Sequence, residues 1–251
     1  MIKKITFFIV LSVFAFSTCK SSKTSDKLTI ATAASAQFAL KKLAINFSKK
    51  HNIKVDVILG SSGKLTTQII NGAPYDLFFS ADMYYPKMLF NKEKTEKKPI
   101  TYAYGAPVIW TMRKDIAIDS LVQLKDPSIK HLAIANPRNA PYGRKAIRYL
   151  KQKNVYKSIE HKLVYGESIS QVNEYVLNKT VEVGVTAKSI VSSPKLKGKG
   201  FFKELDKEYW VKQGAVIIKN KNLPEMKKQF LEYVLSEEGK EILVNYGYSI
   251  I

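Results

Sequence analysis

Gly60-Ser61-Ser62-Gly63 sets two hydroxyls between a short aliphatic run, Val55, Val57, Ile58 and Leu59, and a helical repeat carried by Leu65, Ile69 and Ile70. Gly72 and Pro74 end that helix, as a C-terminal glycine and a following proline usually do, and Leu77, Phe78 and Phe79 supply the next buried strand. Serines on a strand-to-helix turn stand where the first helical N–H groups are unpaired and the helix dipole is positive. The chemistry such a turn can perform is to hold an anion. It can equally be a flexible loop in which Ser62 or Ser61 is an ordinary helix N-cap, a position serine favours. A second turn of the same kind strengthens the first reading. Leu28–Ala31 is a short strand, Thr32-Ala33-Ala34-Ser35 follows, and Ala36, Leu40, Leu43 and Phe47 then repeat on one helical face, with Ser35 at the N-cap position. Ligands of open α/β sheets bind at the carboxyl ends of the strands, where both serine turns fall.

The elements that must position these turns alternate. Leu132–Ala135 is a strand that runs through Asn136–Gly143 into a helix from about Arg144 to Gln152, with Pro141 suited to a helix start. Leu163–Tyr165 is another strand, and Gly166-Glu167-Ser168 opens a helix with Ile169, Val172 and Val176 on one face. The apolar strand Tyr102–Met112 is interrupted by Gly105 and Pro107, and Gly214–Ile218 is a second apolar strand; each suits a crossing between lobes. Two helices close the chain, Pro224–Leu235 and one capped by Ser236. Repeated β-α alternation predicts an α/β fold, each lobe a mostly parallel sheet flanked by helices. The expected boundaries are lobe 1 over 28–105 and 216–251, discontinuous, and lobe 2 over 106–215.

The chain has 251 residues and a formal net charge of +20, yet its lysines are dispersed, and the densest cluster, Lys92–Lys98, is broken by Glu93 and Glu96. No arginine-rich arm is present, so the charge reads as a solvated lysine surface, and no nucleic-acid partner is expected. Its one cysteine, Cys19, excludes an internal disulfide, and His51, His131 and His161 lack metal-ligand spacing. No cofactor and no directly ligated metal are expected. Lys3 and Lys4 precede an apolar run, Ile5–Phe16, too short to span a membrane. Residues 1–19 therefore read as an export signal. The placement of Cys19 resembles a bacterial lipoprotein signal, whose cysteine is acylated, although Phe16-Ser17-Thr18 departs from the usual box. A plain cleaved signal that releases a periplasmic protein is the alternative. Residues 20–27 (KSSKTSDK) then form a polar tether.

In this order, the pieces resemble the molybdate-binding proteins of bacterial ABC transporters, of the ModA type, over most of Lys27–Tyr248. The most specific stretch is Gly60–Asp82, supported by Ala33-Ala34-Ser35, Leu132–Gly143, Gly166–Val172, Gln213–Ile217 and Leu235–Tyr248. The resemblance implies a two-lobed periplasmic binding protein (type II), monomeric and not an enzyme, that closes on a tetrahedral oxyanion between its lobes and delivers it to a membrane permease. It implies hydroxyl and amide donors at Ser35 and Ser62, and backbone N–H donors at Tyr142 and Ile169. Some members add a tyrosine hydroxyl after a Gly-aliphatic-aliphatic strand; here Gly184-Val185-Thr186 is followed by Ala187.

Elementary chemistry agrees with that set. Molybdate and tungstate are fully deprotonated dianions at neutral pH, so their site needs donors and no carboxylate. Phosphate keeps a proton and is better read by a site that includes an acceptor; Glu167 is the nearest acid, and its ordinary role is to favour a helix dipole. Sulfate differs from molybdate in size. A ferric site at Tyr84-Tyr85 would leave the serine turns without a role. A serine hydrolase is disfavoured, because Gly-Ser-Ser-Gly is not Gly-x-Ser-x-Gly and no histidine is placed to activate Ser62.

Overall fold

A computed structural model describes residues 27–250. The expected export signal, Cys19 and all but the last residue of the tether lie outside the described residues. In chain order the regular elements are β1 (Lys27–Ala33), α1 (Gln37–His51), β2 (Lys54–Gly60), α2 (Ser62–Ile70), β3 (Leu77–Ser80), α3 (Tyr84–Asn91), β4 (Ile100–Gly105) and β5 (Pro107–Thr111). They continue with β6 (Leu132–Ala135), α4 (Pro141–Gln152), α5 (Tyr156–Ile159), β7 (Leu163–Gly166), α6 (Ile169–Leu177), β8 (Val183–Ala187) and α7 (Lys188–Val191). The last are β9 (Phe201–Glu204), β10 (Val211–Ile217), α8 (Pro224–Leu235), α9 (Glu237–Asn245) and β11 (Tyr248–Ser249).

The strands form two sheets, ordered β11-β4-β10-β3-β1-β2 and β7-β6-β8-β5-β9. Helices cover both faces, which is why the central strands are apolar on both sides. On the first sheet, Ile30 and Phe79 pack with Leu40, Leu43 and Phe47 of α1. Their neighbours Ala31 and Phe78 point the other way, onto Leu65 and Ile69 of α2. On the second sheet, Ile134 and Val185 pack against Leu150 of α4, whereas Ala133 and Ala135 face Val172 and Val176 of α6.

The sheets are mixed rather than mostly parallel. β1, β2 and β3 are parallel, as are β6, β7 and β8, but β10 is antiparallel to β3 and β4, and β5 is antiparallel to β8 and β9. The crossings are the cause. A strand that enters a lobe from the other lobe starts at the end where the parallel strands finish, so it runs against them: Pro107 of β5 sits opposite Ala187 at the end of β8, and Val211 of β10 opposite Gly105 at the end of β4. The outward crossing lies at Ala106, between β4 and β5, as its Gly and Pro suggest. The return lies earlier than 215/216: Leu205 and Tyr209 still pack in the second lobe, and β10 pairs with the first sheet from Val211 onward. The apolar run at Gly214–Ile218 is the buried part of β10, and its crossing end is more polar.

Candidate anion-binding cleft

Every parallel strand except β8 delivers a turn to the space between the lobes. From the first lobe come Ala33-Ala34-Ser35 after β1, Gly60-Ser61-Ser62 after β2 and Ala81 after β3. From the second come Ala140-Pro141-Tyr142 at the start of α4, and Ile169 at the start of α6. Together they line a narrow cavity of about 10 Å³. All four expected site residues, Ser35, Ser62, Tyr142 and Ile169, therefore line one cleft. Its walls among the described residues include no carboxylate, histidine, lysine or arginine.

The donors differ in how they are held. Ser35 is not a helix N-cap. It sits inside a 3-10 turn, Ala34–Ala36, ahead of α1, and makes no capping bond. The residue is 2% exposed and its Oγ has no hydrogen-bond partner among the described residues. Its carbonyl is fixed from two sides, accepting from Ser189 Oγ of the second lobe at 2.7 Å and from Tyr248 Oη at 3.2 Å. Burial raises the Tyr248 pKa to about 12, which keeps that hydroxyl a donor at neutral pH. Ser62 opens α2, and its Oγ accepts the Ala81 N–H at 3.0 Å, so its own proton is free to point elsewhere. Ser61 holds the N-cap position of α2 without a capping bond and, like Ser35, has a buried, unpartnered Oγ.

The second lobe contributes backbone. Pro141 is the first residue of α4 and Tyr142 the second; Ile169 is the first of α6. N–H groups at these positions have no acceptor within the helix. The Tyr142 side chain turns away, into a buried hinge cluster where Gln213 Nε2 donates to its hydroxyl at 3.3 Å and Tyr102 Oη donates to Gln213 Oε1 at 3.3 Å. Gly105 makes room for this cluster, since a Cβ there would lie 2.1 Å from Tyr142 Oη. Burial pushes the Tyr102 and Tyr142 hydroxyls well above the ordinary tyrosine range.

Two seams beside the cleft join the lobes. At one, the Gly63 N–H donates to the Asn139 carbonyl at 2.9 Å, and a Cβ on Gly63 would come within 3.0 Å of Asn139 backbone. Next to it, Arg144 of α4 pairs with Asp82 at 2.5 Å, donates to Tyr85 Oη at 3.1 Å, and lies over the rings of Tyr84 and Tyr85. At the other seam, Lys64 pairs with Glu167, which thus has a partner across the lobes beyond its expected role at a helix start. Sequence reasoning does not find these pairs, because Arg144 and Asp82 are 62 residues apart and nothing local links them. Ser61 was legible only as one of two N-cap candidates.

A two-lobed α/β protein with a donor-lined cleft between its sheets is built as a solute-binding protein. The chain belongs to the bacterial extracellular solute-binding protein family, whose profile matches residues 28–249. It is 34% identical over 219 residues to the molybdate-binding protein ModA of Rhodobacter capsulatus, covering 87% of this chain and 86% of the relative. It is 31% identical, over 99% of both chains, to a Bacillus subtilis (strain 168) protein named provisionally as the ABC transporter substrate-binding lipoprotein YvgL. Among solved structures, the Azotobacter vinelandii periplasmic molybdate-binding protein superposes with a TM-score of 0.85 at 28% identity, over 89% of this chain and 99% of that one.

Proposed function

We infer that this protein is the substrate-binding component of an ABC importer and captures a tetrahedral oxyanion, molybdate or tungstate, between its lobes. The observation that carries this reading is the meeting, in one cleft without a carboxylate, of serine hydroxyls from the first lobe and helix-start amides from the second. A dianion there accepts from every side and its charge is met by dipoles. The relatives named for molybdate binding support the choice of ligand. Because the donors come from both lobes, ligand favours the closed population, the form a membrane permease would recognise. Catalysis has no support in the cleft, where no lining residue could serve Ser62 as a base. The ferric alternative fares no better: the Arg144 guanidinium lies over both Tyr84 and Tyr85, where a metal cation would be repelled. Export is expected from the leader, and anchoring through Cys19 draws support from the full-length match to a protein named as a lipoprotein. Mass spectrometry of the membrane fraction tests the anchor.

Thermal melts with molybdate, tungstate, sulfate and phosphate test the ligand. A ligand at a hundred times its Kd adds about 2.7 kcal/mol, a shift of roughly 5–11 °C for a chain of this size. Shifts with molybdate and tungstate alone are expected. A shift with sulfate or phosphate instead reassigns the ligand, and no shift with any of the four removes the reading.

A further inference from the structure

We propose that the Ser61 hydroxyl is a third side-chain donor to the bound anion, making up for the strand-end hydroxyl absent at Ala187. The proposal rests on the oxyanion reading above. Ser61 has the extended backbone of an N-cap residue, φ −72° and ψ 146°, where serine ordinarily turns its hydroxyl back onto an N–H of its own helix. Here it makes no such bond. One of the N–H groups it would normally cap, that of Gly63, is taken across the lobes by the Asn139 carbonyl. Ser61 is 4% exposed, its Oγ has no partner among the described residues, and the residue lines the cleft.

A buried hydroxyl without a partner is costly, and native folds rarely keep one unless something completes it. Ser35, on the adjacent strand's turn, has the same signature. Two such hydroxyls in one small cleft, from turns whose strands β1 and β2 are paired, fit one acceptor-rich ligand better than two separate defects. Ser62 adds a third proton, because its oxygen is already engaged by Ala81 N–H. Ala187 does not line the cleft and carries no side-chain donor. The first lobe thus offers three hydroxyl protons and the second two amides, with no carboxylate among them. That set suits an oxyanion carrying no proton at neutral pH.

The test is calorimetric titration of molybdate into the wild-type protein, Ser61→Ala and Ser61→Gly, with melts of each without ligand. Loss of a hydrogen bond to a charged acceptor predicts roughly ten- to hundredfold weaker binding in both variants. The ligand-free melting temperature of Ser61→Ala should hold or rise, since an unpartnered group has been removed. If Ser61 were only a helix cap, Ser61→Ala would melt lower, while Ser61→Gly, which keeps much of the cap preference, would bind as wild type. Binding of Ser61→Gly within twofold of wild type overturns the proposal. A wild-type protein that takes up no oxyanion removes the functional reading and, with it, this donor.

Discussion

In the proposed binding mode the first lobe supplies hydroxyls, those of Ser35 and Ser61 without a partner, and the second supplies N–H groups on the first turns of α4 and α6. The halves are therefore vulnerable in different ways. A hydroxyl is deleted by changing one side chain. An amide survives any side-chain change that leaves the helix in place, so the second lobe is breakable only through backbone position. What looks in sequence like a set of equivalent turns is, in the structure, a chemical half facing a geometric half.

The largest effect should come from moving a helix start. A Cβ on Gly143 would lie 1.9 Å from the Ala135 carbonyl oxygen, so Gly143→Ala must displace α4 from β6. Overpacking of this kind costs roughly 1–3 kcal/mol, and misplacing the Tyr142 amide should weaken molybdate binding more than a hundredfold by titration. Next come the hydroxyls. Ser62→Ala and Ser35→Ala should each lose roughly 1.5–3 kcal/mol of binding, as for a hydrogen bond to a charged group. They part company in ligand-free melts: Ser62→Ala strands the buried Ala81 N–H and lowers stability by about 1–3 kcal/mol, while Ser35→Ala removes an unpartnered group and should not.

The seams sharpen the contrast at smaller cost. Arg144→Ala removes the pairing with Asp82 and the contact with both tyrosines, so closure is less favoured and affinity should fall roughly three- to tenfold, with less compaction by solution scattering at equal ligand. Lys64→Ala, at the more exposed pair, should stay within about twofold. Tyr142→Phe touches the hinge and not the amide. It should cost about 1 kcal/mol of stability with affinity unchanged. The smallest effect at neutral pH is that of titration. The buried tyrosines have raised pKa values in the folded state, so the unfolded chain loses its phenolic protons first. Stability is fully present below about pH 10 and falls as pH rises beyond it, while melts between about pH 6 and 9 should be flat on this account.

Much of the fold is legible in sequence because its signals are local. The helix Pro224–Leu235 is bounded by its own proline and by Ser236, which caps the next helix by accepting the Gly239 N–H. The outward crossing is announced by Gly105 and Pro107. The return crossing is not, because β10 is a continuous strand whose lobe depends on its partners in the first sheet, not on its composition. The mixed pairing of the sheets escapes for the same reason: direction is a property of two strands.

The chain by itself determined the order of strands and helices and the glycine and serine turns at strand ends, because each rests on residues a few positions apart. Only the tertiary structure decided what each turn donates. Ser35 lies in a 3-10 turn rather than at a cap, Ser61 lines the cleft without making its N-cap bond, and the Tyr142 ring fills the hinge. Whether a hydroxyl satisfies its own helix or remains free for a ligand depends on which distant groups have taken the alternatives: the Asn139 carbonyl at Gly63 and the Ala81 N–H at Ser62. Those partners come from strands and turns far along the chain, and closing the fold is what brings them within hydrogen-bond reach.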